Sequence, residues 1–304
     1  MLVGLLILFF TAGLLVLLIG SLVLAHQLTH PPRRTAGSQL AHGLPIDPAD
    51  LDLPFTTAQV PLSTGPRDVW LITGHDPAGP IVLLLHGWAD SRLGSLLWVE
   101  PCRPAASTIA LFDRTGHGET PGICDWSDGE AREVLEVVRW LREMHAGRPV
   151  VLVGFSMGAA VAIEAAAMAS AQAGAGVAGV VADSPYRSVR DVVGRVLKNR
   201  GVPPEPMLSL ALMWMGLRAG WRRLMRFDAA GLASRMACPL LVIHGTEDHL
   251  ASEADMAAIA GANPQAERES FDGADHLEPM ASEPERYAQR LTDFIRRCGG
   301  TSPG

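Results

Sequence analysis

Hydrophobic and polar positions divide the chain into two unequal parts. From Met1 to Leu24 no side chain is charged, and Leu5, Leu6, Ile7, Phe9, Phe10, Leu14, Leu17 and Ile19 are interspersed with Gly4, Gly13 and Gly20. As one helix this run reaches roughly 36 Å at about 1.5 Å per residue, enough to cross a hydrocarbon core of about 30 Å. The pattern predicts a transmembrane helix over residues 1–25. A cleaved secretory signal is the competing reading, with Val23 and Ala25 as small residues before a cleavage point. Two departures weigh against it: no basic residue stands ahead of the run, and the run exceeds the roughly 7 to 15 apolar residues of a signal core. Residues 26–54 hold Pro31, Pro32, Pro45, Pro48 and Pro54 without a sustained period, and are expected to form a linker.

Beyond the linker, short apolar runs alternate with longer segments of helical spacing. The runs Ile81 to Leu85, Thr108 to Phe112, Val150 to Val153, Val177 to Ala182 and Leu240 to Ile243 predict buried strands, with Ala266 to Phe271 a final one. Between them, Glu130 to His145 places Val134, Leu135, Val138 and Leu141 on one helical face. The Ala-rich segment Met157 to Met168 and the segments Glu253 to Ala260 and Pro284 to Arg297 also predict helices. Strand and helix in alternation over 55–304 predict an α/β domain with a mostly parallel central sheet flanked by helices.

Composition narrows the classes. Of 304 residues, 48% are hydrophobic and 19% charged, which supplies a large core and excludes a disordered chain. The net charge of −7 argues against a surface built to neutralise phosphates, so no nucleic-acid partner is expected. Cys102, Cys124, Cys238 and Cys298 fit neither a zinc nor a CxxC redox spacing and are expected to be mostly free thiols.

The chemistry gathers at strand ends. Val150 to Gly158 reads VVLVGFSMG, a buried strand running through Gly154, Phe155, Ser156, Met157 and Gly158 into a helix. That is the context in which a serine sits on a tight strand-to-helix turn with its hydroxyl raised at the carboxyl edge of the sheet. A serine hydroxyl needs a base to take its proton, and a histidine steadied by a carboxylate is the usual one. Asp248 follows the strand Leu240 to Ile243, and His276 follows the last strand. The order Ser156, Asp248, His276 is the one this architecture uses. Glu247 and Asp183 remain alternatives for the acid, and His249 and His244 for the base. Oxyanion donors are expected from two backbone amides, that of Met157 directly after the nucleophile and that of Trp88 in the loop His86 to Asp90, where Gly87 would let the chain turn. His86 itself is expected to be a buried turn histidine.

With these residues in place the chain resembles serine hydrolases of the α/β-hydrolase superfamily, near the broad group of serine aminopeptidase-like and acyl-ester hydrolase members. The resemblance rests on HGWADSR at His86 to Arg92, DRTGHGET at Asp113 to Thr120, GFSMG at 154 to 158, HGTEDHL at His244 to Leu250 and GADH at Gly273 to His276. It implies an α/β-hydrolase fold over about Gln59 to Arg297, with Asp113, His117 and Gly118 in structural roles. Where many relatives continue the acid loop with Val-Pro, this chain has Leu250 and Ala251.

The segment from Asp183 to Leu240 is longer than a crossover needs, and a helical cap is expected at about 185–235, as the resemblance also implies. From Arg187 to Arg226 nine basic residues stand against Asp191 and Glu205, a local net of +7, so the remainder carries −14. Met207 to Leu217 is almost wholly apolar and leads to Trp221, Leu224, Met225 and Phe227 among arginines. Two readings stand: a cap whose apolar face covers the cleft while its arginines are solvated or paired, and a cap that also lies in a membrane interface. Arg33 and Arg34 are the only basic residues flanking the apolar run, so the positive-inside bias leaves the large domain cytoplasmic. The sequence thus predicts a single-pass membrane serine hydrolase for a small-molecule acyl ester. An acyl-enzyme route requires neither metal nor organic cofactor. Peptidase, thioesterase and acyltransferase chemistry on the same residues, and a non-catalytic scaffold on the same fold, are the alternatives.

Overall fold

In the computed structural model, which describes residues 1–126, 128–172, 176–219 and 227–300, eight strands form one sheet. They are β1 (Phe55–Leu62), β2 (Gly65–Thr73), β3 (Ile81–Leu85), β4 (Thr108–Phe112), β5 (Val150–Phe155), β6 (Val177–Asp183), β7 (Leu240–Gly245) and β8 (Ala266–Phe271). Their order is β1-β2-β4-β3-β5-β6-β7-β8. All pairings from β4 onward to β8 are parallel, while β1 pairs antiparallel with β2 and β2 with β4. The six strands expected from their apolar runs are present. The β1–β2 hairpin lies outside that expectation, since β1 is half-exposed and built largely from Thr, Gln and Pro.

The principal helices in chain order are α1 (Leu2–Thr29), α2 (Ala36–Ala41), α3 (Asp128–Met144), α4 (Met157–Ser170), α5 (Val189–Asn199), α6 (Met207–Ala219), α7 (Ala229–Ala233), α8 (Glu253–Ala262) and α9 (Pro284–Cys298). Side chains alternate across β3. Ile81, Leu83 and Leu85 join Val134 and Val138 of α3 and Ala162 and Ala166 of α4, whereas Val82 and Leu84 join Leu291, Phe294 and Ile295 of α9. Alternation along a strand with both faces covered explains why β3 reads as an uninterrupted apolar run. Four cysteines, all free, are distributed through these layers.

The first helix is the one described helix long and apolar enough to cross a membrane, and its first half stands clear of the domain. Its last turns do not. Ser21, Ala25, Leu28 and Thr29 are buried, and the Trp214 indole of α6 donates to Ser21 Oγ at 3.1 Å. Residues 26–54, expected as a linker, lie folded on the domain. The Arg33 guanidinium reaches the Thr120 carbonyl, Arg34 pairs with Asp90 at 3.0 Å, and the Ala36 amide donates to Glu119 at 3.0 Å.

The cap comprises α5 and α6, with α5 burying Val189, Val192, Val193 and Leu197. Among the described residues three of its basic side chains form ion pairs: Arg187 with Asp228 at 3.2 Å, Arg190 with Glu205 at 2.5 Å, and Arg195 with Asp255. Only the last of these reaches the core domain. Trp221, Arg222, Arg223, Leu224, Met225 and Arg226 lie outside the described residues, as does the Arg218 side chain.

One buried ion pair carries the loop after β4. Arg114 is 0% exposed, its guanidinium bonds Glu130 at the start of α3, and it donates to the His86 carbonyl at 2.6 Å. Burial pushes the Glu130 carboxyl up to about 7 against the pull of Arg114. Removing one partner of a buried pair leaves the other desolvated without compensation. Arg114→Met should therefore lower unfolding free energy by about 3–5 kcal/mol in urea titrations, and Glu130→Gln added to it should restore part of that loss. An unchanged urea midpoint in the single variant would show that the pair does not hold this loop.

Candidate active site

β5 ends in the turn that presents Ser156, whose backbone adopts φ 52° and ψ −112°, a conformation rare for a residue with a Cβ. Close packing imposes it. A Cβ on Gly154 would lie 2.3 Å from the Gly158 carbonyl oxygen, and one on Gly158 would lie 2.0 Å from the Leu85 carbonyl oxygen. Glycine at both positions lets α4 start directly against the ends of β5 and β3. The Ser156 amide donates to Asp183 on β6 at 2.8 Å, which fixes the turn from the other side.

Ser156 Oγ lies 2.9 Å from His276 Nε2, and His276 Nδ1 lies 2.8 Å from Asp248 Oδ2. The other Asp248 oxygen accepts the amides of Leu250 and Ala251 at 2.8 and 2.7 Å. Burial raises the Asp248 pKa, but the His276 bond and the two amides outweigh it and hold the carboxyl below its ordinary value. An ionised carboxylate at Nδ1 fixes the tautomer that leaves Nε2 free to accept the serine proton.

The alternative residues have other partners. Asp183 Oδ2 accepts the Tyr287 hydroxyl at 2.7 Å, and burial pushes its pKa up to about 6. It stands behind the site: Ser184 Oγ donates to Asp183 at 3.1 Å and accepts the Leu277 amide at 3.3 Å, bracing the residue after His276. His249 is half-exposed and its Nδ1 lies 2.5 Å from Asp275. His244 is buried, with its nearest carboxylate on Glu253 at 3.6 Å. The Glu247 amide donates to the Ala274 carbonyl, and neither a hydrogen bond nor an ion pair joins Glu247 to His276.

His86 is a fully buried loop residue. Its Nε2 accepts the Arg114 amide at 3.1 Å, so Nδ1 carries the proton and donates to the Gly87 carbonyl at 2.9 Å. Burial, then the Arg114 charge, drive its pKa well below the ordinary value, so it stays neutral. The turn after it differs from expectation in one respect. The left-handed residue is Ala89, at φ 61°, whereas Gly87 has no positive φ and a Cβ there would make only ordinary contacts, 3.4 Å from the Phe155 carbonyl oxygen and 3.7 Å from the Ser156 Cβ. Met157 opens α4, where the amide has no intrahelical acceptor, and neither it nor the Trp88 amide bonds another described residue.

Ser156 and His276 open into a cavity of about 360 Å³. Its walls are mostly apolar: Trp88 and Trp126, Val192, Val193, Val196 and Leu197 of α5, Leu250, and Leu24 and Leu28 of α1. The contribution of α1 was not legible as such, although polar residues entering the helix at Ser21, His26, Gln27 and Thr29 mark where its uniform apolar surface ends. Both indole N–H groups in the wall converge on one backbone oxygen: the Leu28 carbonyl accepts Trp88 Nε1 at 3.0 Å and Trp126 Nε1 at 2.8 Å. No group of three or more potential metal ligands occurs among the described residues.

The fold has solved counterparts. An esterase of Pyrococcus furiosus superposes with a TM-score of 0.69 and 23% identity, covering 89% of this chain and 98% of its own. A thermophilic esterase from Thermogutta terrifontis gives a TM-score of 0.56 and 20% identity, covering 80% of this chain and 99% of its own. A pimeloyl-[acyl-carrier protein] methyl ester esterase of Methylococcus capsulatus is 38% identical over 94 residues, 30% of this chain and 33% of that one. The match thus spans about a third of that relative's length. The family model described as "Alpha/beta hydrolase family" matches residues 82–290, which include Ser156, Asp248 and His276. With the model covering well over half of its length, this chain belongs to the alpha/beta hydrolase family.

Proposed function

We propose that the protein is a membrane-anchored serine hydrolase that cleaves a carboxylic ester. The observation that carries this reading is the run of hydrogen bonds from Asp248 through His276 to Ser156 at the floor of an apolar cavity. His276 Nε2 takes the Ser156 proton as Oγ bonds to the acyl carbonyl carbon. The carbonyl oxygen becomes an oxyanion, received by the amides of Trp88 and Met157, the latter also at the positive end of α4. His276 then gives its proton to the departing alkoxide. Water enters and loses a proton to the same nitrogen as its oxygen bonds to the acyl carbon; the bond to Oγ then breaks, Oγ takes the proton back from Nε2, and the carboxylic acid leaves. Asp248 stabilises the imidazolium formed in both halves. The esterase names of the relatives support the ester as the bond.

Membrane attachment is supported by the length and exposure of α1. Arg33 and Arg34 at its domain end favour a cytoplasmic domain. The full chain should sediment with membranes and resist extraction by high salt, yet dissolve in detergent. Protease added outside sealed right-side-out vesicles should leave residues 30–304 intact. Release by salt would contradict the anchor, and cleavage from outside would reverse the orientation.

For the chemistry, detergent-solubilised full chain should hydrolyse p-nitrophenyl esters, with Ser156→Ala and His276→Ala each lowering kcat by about 10⁴-fold or more and the double variant no worse than either. Asp248→Asn should cost about 10⁴-fold through the wrong histidine tautomer. Additive losses, or a single variant with full activity, would contradict a relay acting as one unit; a folded wild type inactive on every ester would move the bond to a thioester or amide.

A further inference from the structure

The membrane helix enters the catalytic cavity. Leu24, Gln27 and Leu28, spaced i, i+3, i+4 along one face of α1, line the space above Ser156 and His276. Val192, Val193 and Val196 of α5 form the facing wall. Going back along α1 from Leu24, one turn reaches Gly20, where a Cβ would stand 3.2 Å from Met207 Sδ of α6. Around that turn the protein cover ends, and Val23, Leu22 and Ile19 are 48%, 47% and 52% exposed. Leu217, on the apolar helix α6 that runs beside α1, is 69% exposed. Side chains that wall the cavity and side chains suited to lipid therefore belong to one continuous helix, less than two turns apart.

The attachment is rigid where it meets the chemistry. The Leu28 carbonyl holds the indole of Trp88, the residue whose amide is assigned to the oxyanion, and the Thr29 carbonyl accepts the Cys124 amide at 3.0 Å. A wall tied to the oxyanion loop cannot swing clear when substrate binds without moving that loop. An acyl group seated on Ser156 between α1 and α5 lies within two turns of the exposed apolar length of α1, in a cavity whose polar lining is Gln27, Arg34, Asp90 and Arg200 beside the catalytic pair.

We propose that Leu24 and Leu28 are specificity-determining residues that size this cavity for the chain of a long-chain acyl ester, and that the ester is taken from the bilayer holding α1. The proposal rests on the serine-hydrolase reading and on the anchor. It gives the apolar helix a second task beyond attachment, and it names the substrate class as a lipid-soluble ester instead of a short soluble one.

The test uses the full chain in phospholipid vesicles with p-nitrophenyl acetate and p-nitrophenyl dodecanoate. Leu24→Trp and Leu28→Trp should lower kcat/KM for dodecanoate by about tenfold or more relative to that for acetate, because a filled cavity rejects added methylenes. Leu6→Trp, on the exposed length of α1, should change neither. Unaltered chain-length profiles in both cavity variants, with thermal midpoints near wild type, would overturn the wall; two Trp variants at different turns guard against one misfolding. In a second arm, wild type should cleave dodecanoylglycerol faster when it shares the enzyme's vesicles than when it is held in separate vesicles, and equal rates would overturn delivery from the bilayer. Ser156→Ala separates the two layers: persistent hydrolysis in that variant rejects the mechanism itself, whereas its loss beside an unshifted chain-length profile rejects only the role of Leu24 and Leu28.

Discussion

The site depends on how closely α4 can approach the ends of β3 and β5. Gly158 sits where any side chain would collide with the Leu85 carbonyl, and Gly154 where it would collide with Gly158 itself. That approach forces the chain to reverse within one residue, and Ser156 takes up the strain at φ 52°. Three consequences follow from the same contact. The hydroxyl stands clear of the sheet, the Met157 amide is left at a helix start without an intrahelical acceptor, and the loop after β3 is pressed against the turn. A larger residue at either glycine would move all three together, because the interior has no slack to absorb it.

Around this rigid turn the other participants are held by independent means. His276 is oriented by Asp248 from the β7 loop and braced from behind through Leu277, Ser184 and Asp183. The loop His86 to Asp90, proposed to receive the oxyanion, is held on one side by the buried pair Arg114 and Glu130 and on the other by the Leu28 carbonyl. Separate anchors allow each group to be set to hydrogen-bonding distance before substrate arrives, which is what pre-organised electrostatic stabilisation requires. The loop thereby joins the core of the domain to the helix proposed to lie in the membrane.

Much of this arrangement could be read from residue order alone. Continuous apolar runs identified β3 to β7 because parallel strands buried on both faces have no alternation to hide. The serine turn was legible because its two glycines and its strand-helix context are local, and Asp248 and His276 because strand ends place residues at one edge of the sheet. The β1–β2 hairpin was not, since an outer strand with one wet face and a proline carries little apolar signal. The left-handed Ala89 escaped because nothing local distinguishes it from the glycine two residues earlier. Nothing in the order Asp113, Arg114, Thr115 marks Arg114 as buried, and only tertiary packing sets it against Glu130. The dual role proposed for α1 was hidden for the same reason. An apolar residue at position 24 or 28 reads identically whether it faces lipid or a cavity.

If His276 and Asp248 activate Ser156, its Oγ becomes covalently acylated. The most direct measurement is reaction of the intact full chain with a fluorophosphonate, followed by peptide mass spectrometry to locate the adduct. One adduct is expected, on Ser156, absent from Ser156→Ala and formed far more slowly in His276→Ala. Labelling at another residue, or none at all on folded wild-type protein, would contradict it.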